Sequence, residues 1–237
     1  MTMKESFELA QRISDLHFFE DVEVVLCPNT LAFSGVKEKA GQAVKLGAQD
    51  CLWVPQGAYT GATSAFMFRE AGASYALVGH SERRYLFGET NEDIRKKMEA
   101  CADNGLTPVL CVGETAEDRE EGKTEYRIKK QLLKAFEGLH FERVRPIIAY
   151  EPVWAISKSG LGEPCDPAQA NAMHEFIKRE MKEHLGEPIR VIYGGSVNAE
   201  NVKFFSSQAS IDGVLVGSAS TRFDSFSKIL EALSEKN

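Results

Sequence analysis

The stretch Ile147-Ile148-Ala149-Tyr150-Glu151-Pro152-Val153-Trp154 is a short apolar run that ends in a carboxylate. Runs of this length between turn signals are typical of strands buried on both faces, and a proline ends such a strand because it cannot donate to the ladder. Glu151 is therefore expected at the C-terminal edge of a parallel strand, which is where barrels and open sheets bind ligands. Two interpretations of Glu151 are open, a general base and a charge that only caps the strand.

Further apolar runs alternate with amphipathic helix patterns along the chain. This alternation predicts an α/β fold, a parallel sheet with helices outside it, in a single domain over residues 1–237. The predicted strands are 22–27, 44–48, 75–78, 108–112, 146–150, 189–193 and 214–216. The predicted helices are 4–16, 31–40, 63–71, 91–103, 126–139, 167–185, 199–206 and 223–234. With seven strands and eight helices, a barrel of eight units would need one more strand, immediately before Lys4.

Composition limits the classes of partner. The net charge of -7 and the pI near 5.4 disfavour nucleic acid and anionic membranes, which both reward a basic surface. The N-terminus has no apolar signal segment, and no stretch approaches the ~20 apolar residues that span a bilayer. The five cysteines are scattered, with no Cys-x-x-Cys pair to suggest zinc or a redox centre. We expect a soluble cytoplasmic protein with free thiols and no metal.

His80 follows the predicted strand 75–78 and Gly79, and it precedes Ser81-Glu82-Arg83-Arg84. A lone histidine is more often structural than catalytic. A short helix that starts near Ser81 would direct free N–H groups at the imidazole, disfavour its protonation and leave it able to donate a hydrogen bond to a substrate oxygen. Of the two arginines we expect one in an ion pair and one in solvent.

Two glycine-rich segments follow the last two predicted strands. They are Tyr193-Gly194-Gly195-Ser196-Val197-Asn198 and Val216-Gly217-Ser218-Ala219-Ser220. Backbone N–H groups can converge in such segments and hold a phosphate, and parallel barrels bind phosphate after their last two strands. The alternative is a pair of tight turns.

Two long connections also have open roles. Residues 155–167, directly after Glu151, are rich in small side chains, and they form either a lid that closes over substrate or a static surface loop. Residues 56–64 either dock on a second subunit or fold back onto their own barrel.

These motifs closely resemble one family, triosephosphate isomerase. The residues that carry the resemblance occur in the family's order: Leu46-Gly47-Ala48-Gln49, Tyr59-Thr60-Gly61, Val78-Gly79-His80-Ser81-Glu82-Arg83-Arg84, Cys111-Val112-Gly113-Glu114-Thr115, Tyr150-Glu151-Pro152-Val153-Trp154-Ala155-Ile156, Tyr193-Gly194-Gly195-Ser196-Val197 and Gly213-Val214-Leu215-Val216-Gly217. The resemblance implies a TIM (β/α)8-type barrel.

The resemblance also implies interconversion of glyceraldehyde 3-phosphate and dihydroxyacetone phosphate through an enediolate, a step of glycolysis and gluconeogenesis. By this resemblance Glu151 transfers the proton, His80 polarises the carbonyl, and Glu82 is a supporting carboxylate; the family is a standard example of a glutamate base beside a neutral histidine. No cofactor or metal is implied, and a homo-oligomer is expected because the family forms dimers. The residues that fall where the family contacts substrate phosphate are Ser157, Ser196, Gly217 and Ser218.

The sequence departs from the family pattern in two places. The family begins with a strand that carries Asn-x-Lys, whose lysine offsets the negative charge of substrate. We expect this motif to be absent from the whole chain and the first strand to be missing. The family usually has Gly-Thr-Gly-Lys in its lid, whereas Ile156 is followed by Ser157-Lys158-Ser159-Gly160. Lid closure is therefore expected to differ.

A missing strand would affect both activity and fold. Loss of one oxyanion donor costs about 10²- to 10³-fold in rate, and loss of a buried cation should cost at least as much, so we expect severely impaired activity. The alternatives are a catalytically silent truncated barrel, serving as a folding scaffold or phosphometabolite-binding module, and a different aldose-ketose isomerase. Unpaired edges at 22–27 and 214–216 would leave an open seven-stranded barrel or an oligomer that closes the gap.

Overall fold

The computed structural model describes residues 1–16, 22–156 and 165–234. Its sheet has six parallel strands, each paired with the next one along the chain. This order follows from repeated strand–helix units, which place consecutive strands side by side. The strands are β1 Val24–Leu26, β2 Val44–Ala48, β3 Tyr75–Val78, β4 Thr107–Val112, β5 Ile147–Tyr150 and β6 Arg190–Tyr193.

The sheet is curled. This follows from the side chains of its first and last strands, which pack into one inner cluster. The buried members of this cluster come from β3, β4 and β5, and Val25 of β1 and Ile192 of β6 pack against them. A chain-order parallel sheet that curls around its own side chains is consistent with a TIM-type barrel. The predicted fold class is confirmed at this level. The buried members are Tyr75, Val109, Cys111, Ile147 and Ala149.

The predicted count of seven strands is not reproduced in the described ranges. The segment predicted at 214–216 makes only a single bridge, between Tyr193 and Val214. Two hydrogen bonds flank this bridge, from Tyr193 N–H to Gly213 O and from Leu215 N–H to Tyr193 O. Glycines at 213 and 217 bound the run, and glycine weakens a strand, so the pairing stays short. The expected missing first strand remains a prediction.

Across these ranges the structure contains ten α-helices, where the sequence predicted eight. The two additional helices are Ser81–Tyr85 and Ala116–Glu120, and each has five residues, which is too short for a clear hydrophobic period. The first is the short helix expected near Ser81. Three short 3₁₀ helices, Thr30–Ala32, Val153–Ala155 and Ser218–Thr221, complete the set. The α-helices are α1 Met3–Ser14, α2 Phe33–Lys39, α3 Ala65–Ala71, α4 Ser81–Tyr85, α5 Asn91–Asp103, α6 Ala116–Glu120, α7 Thr124–Phe136, α8 Pro167–Leu185, α9 Val202–Ser206 and α10 Phe223–Ser234.

Outside the inner cluster, a second and larger core lies between the sheet and its helices. Ile94, Met98 and Cys101 of α5 are buried in it. The Sγ atoms of Cys51 and Cys101 lie 3.7 Å apart there, and all five cysteines are free. Among the helices described here, none combines the length and the apolar composition needed to cross a membrane.

His174 on α8 is 0% exposed in this outer layer. Its ring centroid lies 5.9 Å from that of Tyr150 on β5 and 6.5 Å from that of Tyr193 on β6. Neither ring nitrogen has a hydrogen-bond partner among the described residues. Burial lowers the pKa of His174 to about 4. The neutral ring therefore acts as a packing element of this layer.

Acid is expected to destabilise the fold through His174. Its pKa is 6.5 when exposed and about 4 in the fold, so the unfolded chain takes up the proton first and the free energy of unfolding falls as pH decreases from 6.5 towards 4. Between pH 7 and pH 5 this contribution is about 2 kcal/mol. Urea unfolding of His174→Phe should show a pH dependence smaller by that amount. His184→Phe, at an exposed position of the same helix, should behave like the parent. An unchanged pH dependence in His174→Phe would contradict this assignment.

Candidate active site

The ends of β4, β5 and β6 lie at one edge of the sheet, and Glu151 is the first residue after β5. Its N–H donates to Val112 O at 2.7 Å, and Gly194 N–H donates to Tyr150 O at 2.8 Å. Pro152 follows and ends the ladder. Glu151 is 2% exposed and lies at the C-terminal edge of its strand, as the sequence predicted.

His80 is the N-cap of α4, so the short helix expected near Ser81 is present. The Nδ1 atom of His80 accepts a hydrogen bond from Glu82 N–H at 3.3 Å. Because a nitrogen that accepts carries no proton, the neutral ring carries its hydrogen on Nε2. Nε2 lies 3.1 Å from Oε1 of Glu151. The side chain of Glu82 is 70% exposed, and its Oε2 lies 3.8 Å from Nδ1, the ring nitrogen that does not contact Glu151.

The second carboxylate oxygen of Glu151, Oε2, accepts a hydrogen bond from Ser81 N–H at 2.9 Å. Burial raises the pKa of Glu151, and the strongest opposing effect is that of the positive charge that His80 carries when it is protonated. The Ser81 N–H, Cys111 and Arg84 also act to lower it. A buried carboxylate with a raised pKa is a better proton acceptor near neutral pH than an exposed one.

Two glycines let the neighbouring strand ends close around Glu151. A Cβ atom on Gly113 would lie 1.7 Å from Glu151 O, and one on Gly194 would lie 2.8 Å from Glu151 Cγ. Either contact would force the carboxylate or its strand to move. The sequence predicts a phosphate-binding turn at Gly194, but its pattern does not indicate this steric role.

The expectation for Arg83 and Arg84 is partly wrong, because neither guanidinium is free in solvent. Arg83 pairs with Asp50 at 3.1 Å. Arg84 donates to two backbone carbonyls and to the side chain of Asn91. Asp50, Asn91 and the carbonyl-bearing Cys111 come from other parts of the chain, so these contacts are tertiary facts that the local sequence does not contain.

Glu114 is a buried carboxylate that belongs to one of the family motifs but was not predicted as a site residue. Its Oε1 accepts hydrogen bonds from Tyr150 Oη at 3.1 Å and from Trp154 Nε1 at 2.7 Å. Burial raises the pKa of Glu114. The guanidinium of Arg119 lies 3.8 Å from the centroid of the Trp154 ring. Glu114 therefore anchors the residues on both sides of Glu151.

The predicted phosphate-binding residues lie in turns. Ser196 Oγ donates to Ala155 O at 2.8 Å, which joins the end of β6 to the turn after Glu151. Gly217 precedes the short helix Ser218–Thr221, and its carbonyl accepts from Ser220 N–H at 2.9 Å. Ser157 and the rest of the predicted lid from 157 to 164 lie outside the described residues.

The expected absence of Asn-x-Lys from the whole chain is wrong, because the tripeptide Asn201-Val202-Lys203 occurs at the beginning of α9. Its position on a helix distinguishes it from the strand motif of the family. Asn201 Nδ2 donates to Ser196 O at 2.9 Å, so the asparagine supports the glycine-rich turn after β6.

A curled parallel sheet with a buried carboxylate in contact with a histidine at the C-terminal edge of its strands defines an α/β barrel protein with a candidate acid–base site. The family model described as triosephosphate isomerase matches residues 1–233. A triosephosphate isomerase of Roseiflexus castenholzii is 44% identical over 98% of this chain and 93% of that protein. Those of Dictyoglomus thermophilum (44% identity, 90% of this chain, 87% of that protein) and Aquifex aeolicus (43%, 89% and 86%) are similar. The chain belongs to the triosephosphate isomerase family.

Replacement of Trp154 by Phe should destabilise the protein, because it removes the hydrogen bond to buried Glu114. Loss of a hydrogen bond to a buried carboxylate costs about 1–3 kcal/mol, and for a chain of this size each kcal/mol lowers the melting temperature by about 2–4 °C. Trp53→Phe is the control, because the ring of Trp53 contacts Lys96 Nζ through its face and Phe keeps that contact. Calorimetry that gave equal losses for both variants would contradict this role of Glu114.

Proposed function

We propose that this chain is a triose-phosphate isomerase that interconverts glyceraldehyde 3-phosphate and dihydroxyacetone phosphate. The names of its relatives support the general reaction. The observation that carries the proposal for this chain is the 3.1 Å contact between His80 Nε2 and Glu151 Oε1 at the buried edge of the sheet. A proton acceptor and a neutral hydrogen-bond donor that meet there can act on two adjacent carbons and their oxygens.

Each group has a defined step in the proposed reaction. Glu151 takes a proton from the carbon beside the carbonyl and returns it to the other carbon. The Nε2–H of His80 donates to the carbonyl oxygen and stabilises the enediolate. Because this N–H now faces Glu151, the substrate oxygen would replace the carboxylate as its partner. Glu82 is a supporting carboxylate in this proposal, and its backbone N–H also holds Nδ1 of His80 as the acceptor.

The substrate phosphate is proposed to bind Ser157, Ser196, Gly217 and Ser218. The contact of Ser196 with Ala155 supports this proposal, because it brings the turn after β6 next to the turn after Glu151. Gly217 and Ser218 stand at the start of a single helical turn, where backbone N–H groups are unpaired within the helix. No cofactor has a role in this scheme.

Severe impairment and the catalytically silent barrel both rest on the expected missing strand, and neither has independent support from the fold or the relatives. Both remain predictions. The different aldose-ketose isomerase likewise lacks a specific observation in its favour.

Isomerisation of glyceraldehyde 3-phosphate by purified protein should fall about 10²- to 10⁴-fold in Glu151→Gln, because the base is lost while the shape of the side chain is kept. Glu117→Gln, at an exposed position on α6, is the matched control and should retain the parent rate. Because both variants are purified separately by the same procedure, any rate that Glu151→Gln retains sets an upper limit on contaminating host isomerase.

The same assay decides between the alternatives. Equal background rates in the parent and in Glu151→Gln would contradict the proposed function and favour the silent barrel. A parent rate within tenfold of the Roseiflexus relative, measured under the same conditions, would contradict severe impairment. Turnover of a different sugar phosphate would favour the other isomerase.

We also propose that the chain forms a homo-oligomer, a dimer by analogy with the family. An apolar run at the end of α4 and directly after it supports this proposal: Tyr85 is 47%, Leu86 66% and Phe87 68% exposed. Exposed apolar groups that lie together typically mark protein interfaces. Tyr59, in the connection for which docking on a second subunit was considered, is also exposed.

Sedimentation analysis should give twice the 26.3 kDa chain mass for the parent. Leu86→Glu should shift the protein to monomer, because burial of a carboxylate at an interface removes its water. Phe204→Glu is the control, since Phe204 is 62% exposed on α9 and belongs to another part of the surface. A monomeric parent, or equal effects of both variants, would contradict a dimer through the residues after α4.

A further inference from the structure

Arg84 connects three parts of the chain that surround the candidate site. Its Nε donates to Gly79 O at 2.7 Å, its Nη1 to Asn91 Oδ1 at 2.8 Å and its Nη2 to Cys111 O at 2.8 Å. Gly79 immediately precedes His80, Asn91 is the first residue of α5, and Cys111 lies in β4. All three guanidinium nitrogens are therefore engaged with protein groups, and the planar fork fixes their relative positions.

Gly79 makes room for this arrangement. Its φ of +70° is favourable only for glycine, and a Cβ atom at this position would lie 2.9 Å from Arg84 Nη2 and 2.8 Å from Ile94 Cδ1. The guanidinium thus occupies the space beside the backbone that carries His80. A side chain at residue 79 would therefore displace the Arg84 guanidinium.

The charge of Arg84 also acts on Glu151. It favours the ionised carboxylate, against the burial that raises the pKa of Glu151. The other groups that influence this carboxylate are His80, whose neutral ring donates through Nε2, the Ser81 N–H and the thiol of Cys111. Of these four, Arg84 alone carries a permanent charge.

We propose that Arg84 is a positioning residue for the isomerase site, which holds the Gly79–His80 backbone in place and places a positive charge at the end of β4, the strand next to the one that leads into Glu151. This inference rests on the proposed function for its effect on rate, but its electrostatic part can be measured without turnover. Arg84 does not contact substrate in this scheme. It acts through the position of His80 and through the ionisation of Glu151.

Removal of the charge tests the electrostatic part. Infrared difference spectra of the parent against Glu151→Gln, recorded across pH, isolate the carboxylate band of Glu151. In Arg84→Met, corrected with Arg84→Met/Glu151→Gln, the titration midpoint should rise, because loss of a positive charge disfavours the ionised carboxyl. Arg84→Lys keeps the charge and should shift it less. Arg83→Met, which removes the same charge one residue earlier, should leave the midpoint unchanged.

Kinetics test the positioning part. Arg84→Lys loses the fork and should lower kcat about tenfold or more with little change in KM, because misplaced catalytic groups affect the transition state most. Gly79→Ala keeps the charge but displaces the guanidinium, and it should lower kcat by a similar factor. The double variant Gly79→Ala/Arg84→Lys should be no worse than the poorer single variant, because both changes disrupt one contact.

The outcomes separate this inference from the proposed function. An inactive parent would contradict the isomerase, while the infrared titration would still report on the charge. An unchanged Glu151 titration in folded Arg84→Met, or an unchanged kcat in Arg84→Lys with an active parent, would overturn the role of Arg84. If Arg84→Met does not fold, the midpoint in Gly79→Ala decides the electrostatic part; with the guanidinium displaced it should rise, and an unchanged value would overturn it.

Discussion

The candidate site depends on one interaction, the contact of the Glu151 carboxylate with two donors at the start of α4. Ser81 N–H binds one carboxylate oxygen at 2.9 Å, and His80 Nε2 lies 3.1 Å from the other. This contact requires that β3, which leads into His80, and β5, which leads into Glu151, end at the same edge with β4 between them. The parallel register supplies that condition, because Val78 pairs with Leu110 and Val112 pairs with Tyr150. The barrel-type sheet therefore positions the site through where its strands end.

The electrostatics of the site follow from the same helix terminus. The N–H of Glu82 donates to Nδ1 of His80, so the ring is fixed as the tautomer with its hydrogen on Nε2. Burial raises the pKa of Glu151, while its hydrogen-bond donors and the Arg84 charge oppose that rise. One short helix thus supplies hydrogen-bond donors to both groups, and their chemistry cannot be separated from the backbone that presents them.

The sequence predicted those features that depend on local periodicity. Strands 44–48 and 75–78 and helices 91–103, 167–185 and 223–234 have the predicted bounds, because apolar period and end signals coincide there. Glu151 and His80 could be located because each follows a strand and belongs to a specific motif. The hydrogen bonds of Arg84, the buried Glu114 and the close approach of Gly113 to Glu151 O could not, because each depends on residues far apart in the chain. The short pairing at Val214 was overestimated, since a local apolar pattern does not reveal how far a partner strand extends.

Several buried polar atoms near the ends of β5 and β6 lack a hydrogen-bond partner among the described residues. Within the described part of the chain, Oε2 of Glu114, Oη of Tyr193 and both ring nitrogens of His174 are buried without a hydrogen-bond partner. Each such group costs stability in the fold. Successive residues of a strand face opposite sides, so Tyr150 packs outward against His174 while Glu151 points inward to His80. The strand that presents the base is therefore held from behind by an aromatic layer that tolerates neutral polar groups and disfavours charged ones. Stability and function are coupled at this strand, because a proton on His174 would disturb the packing that keeps Glu151 in place.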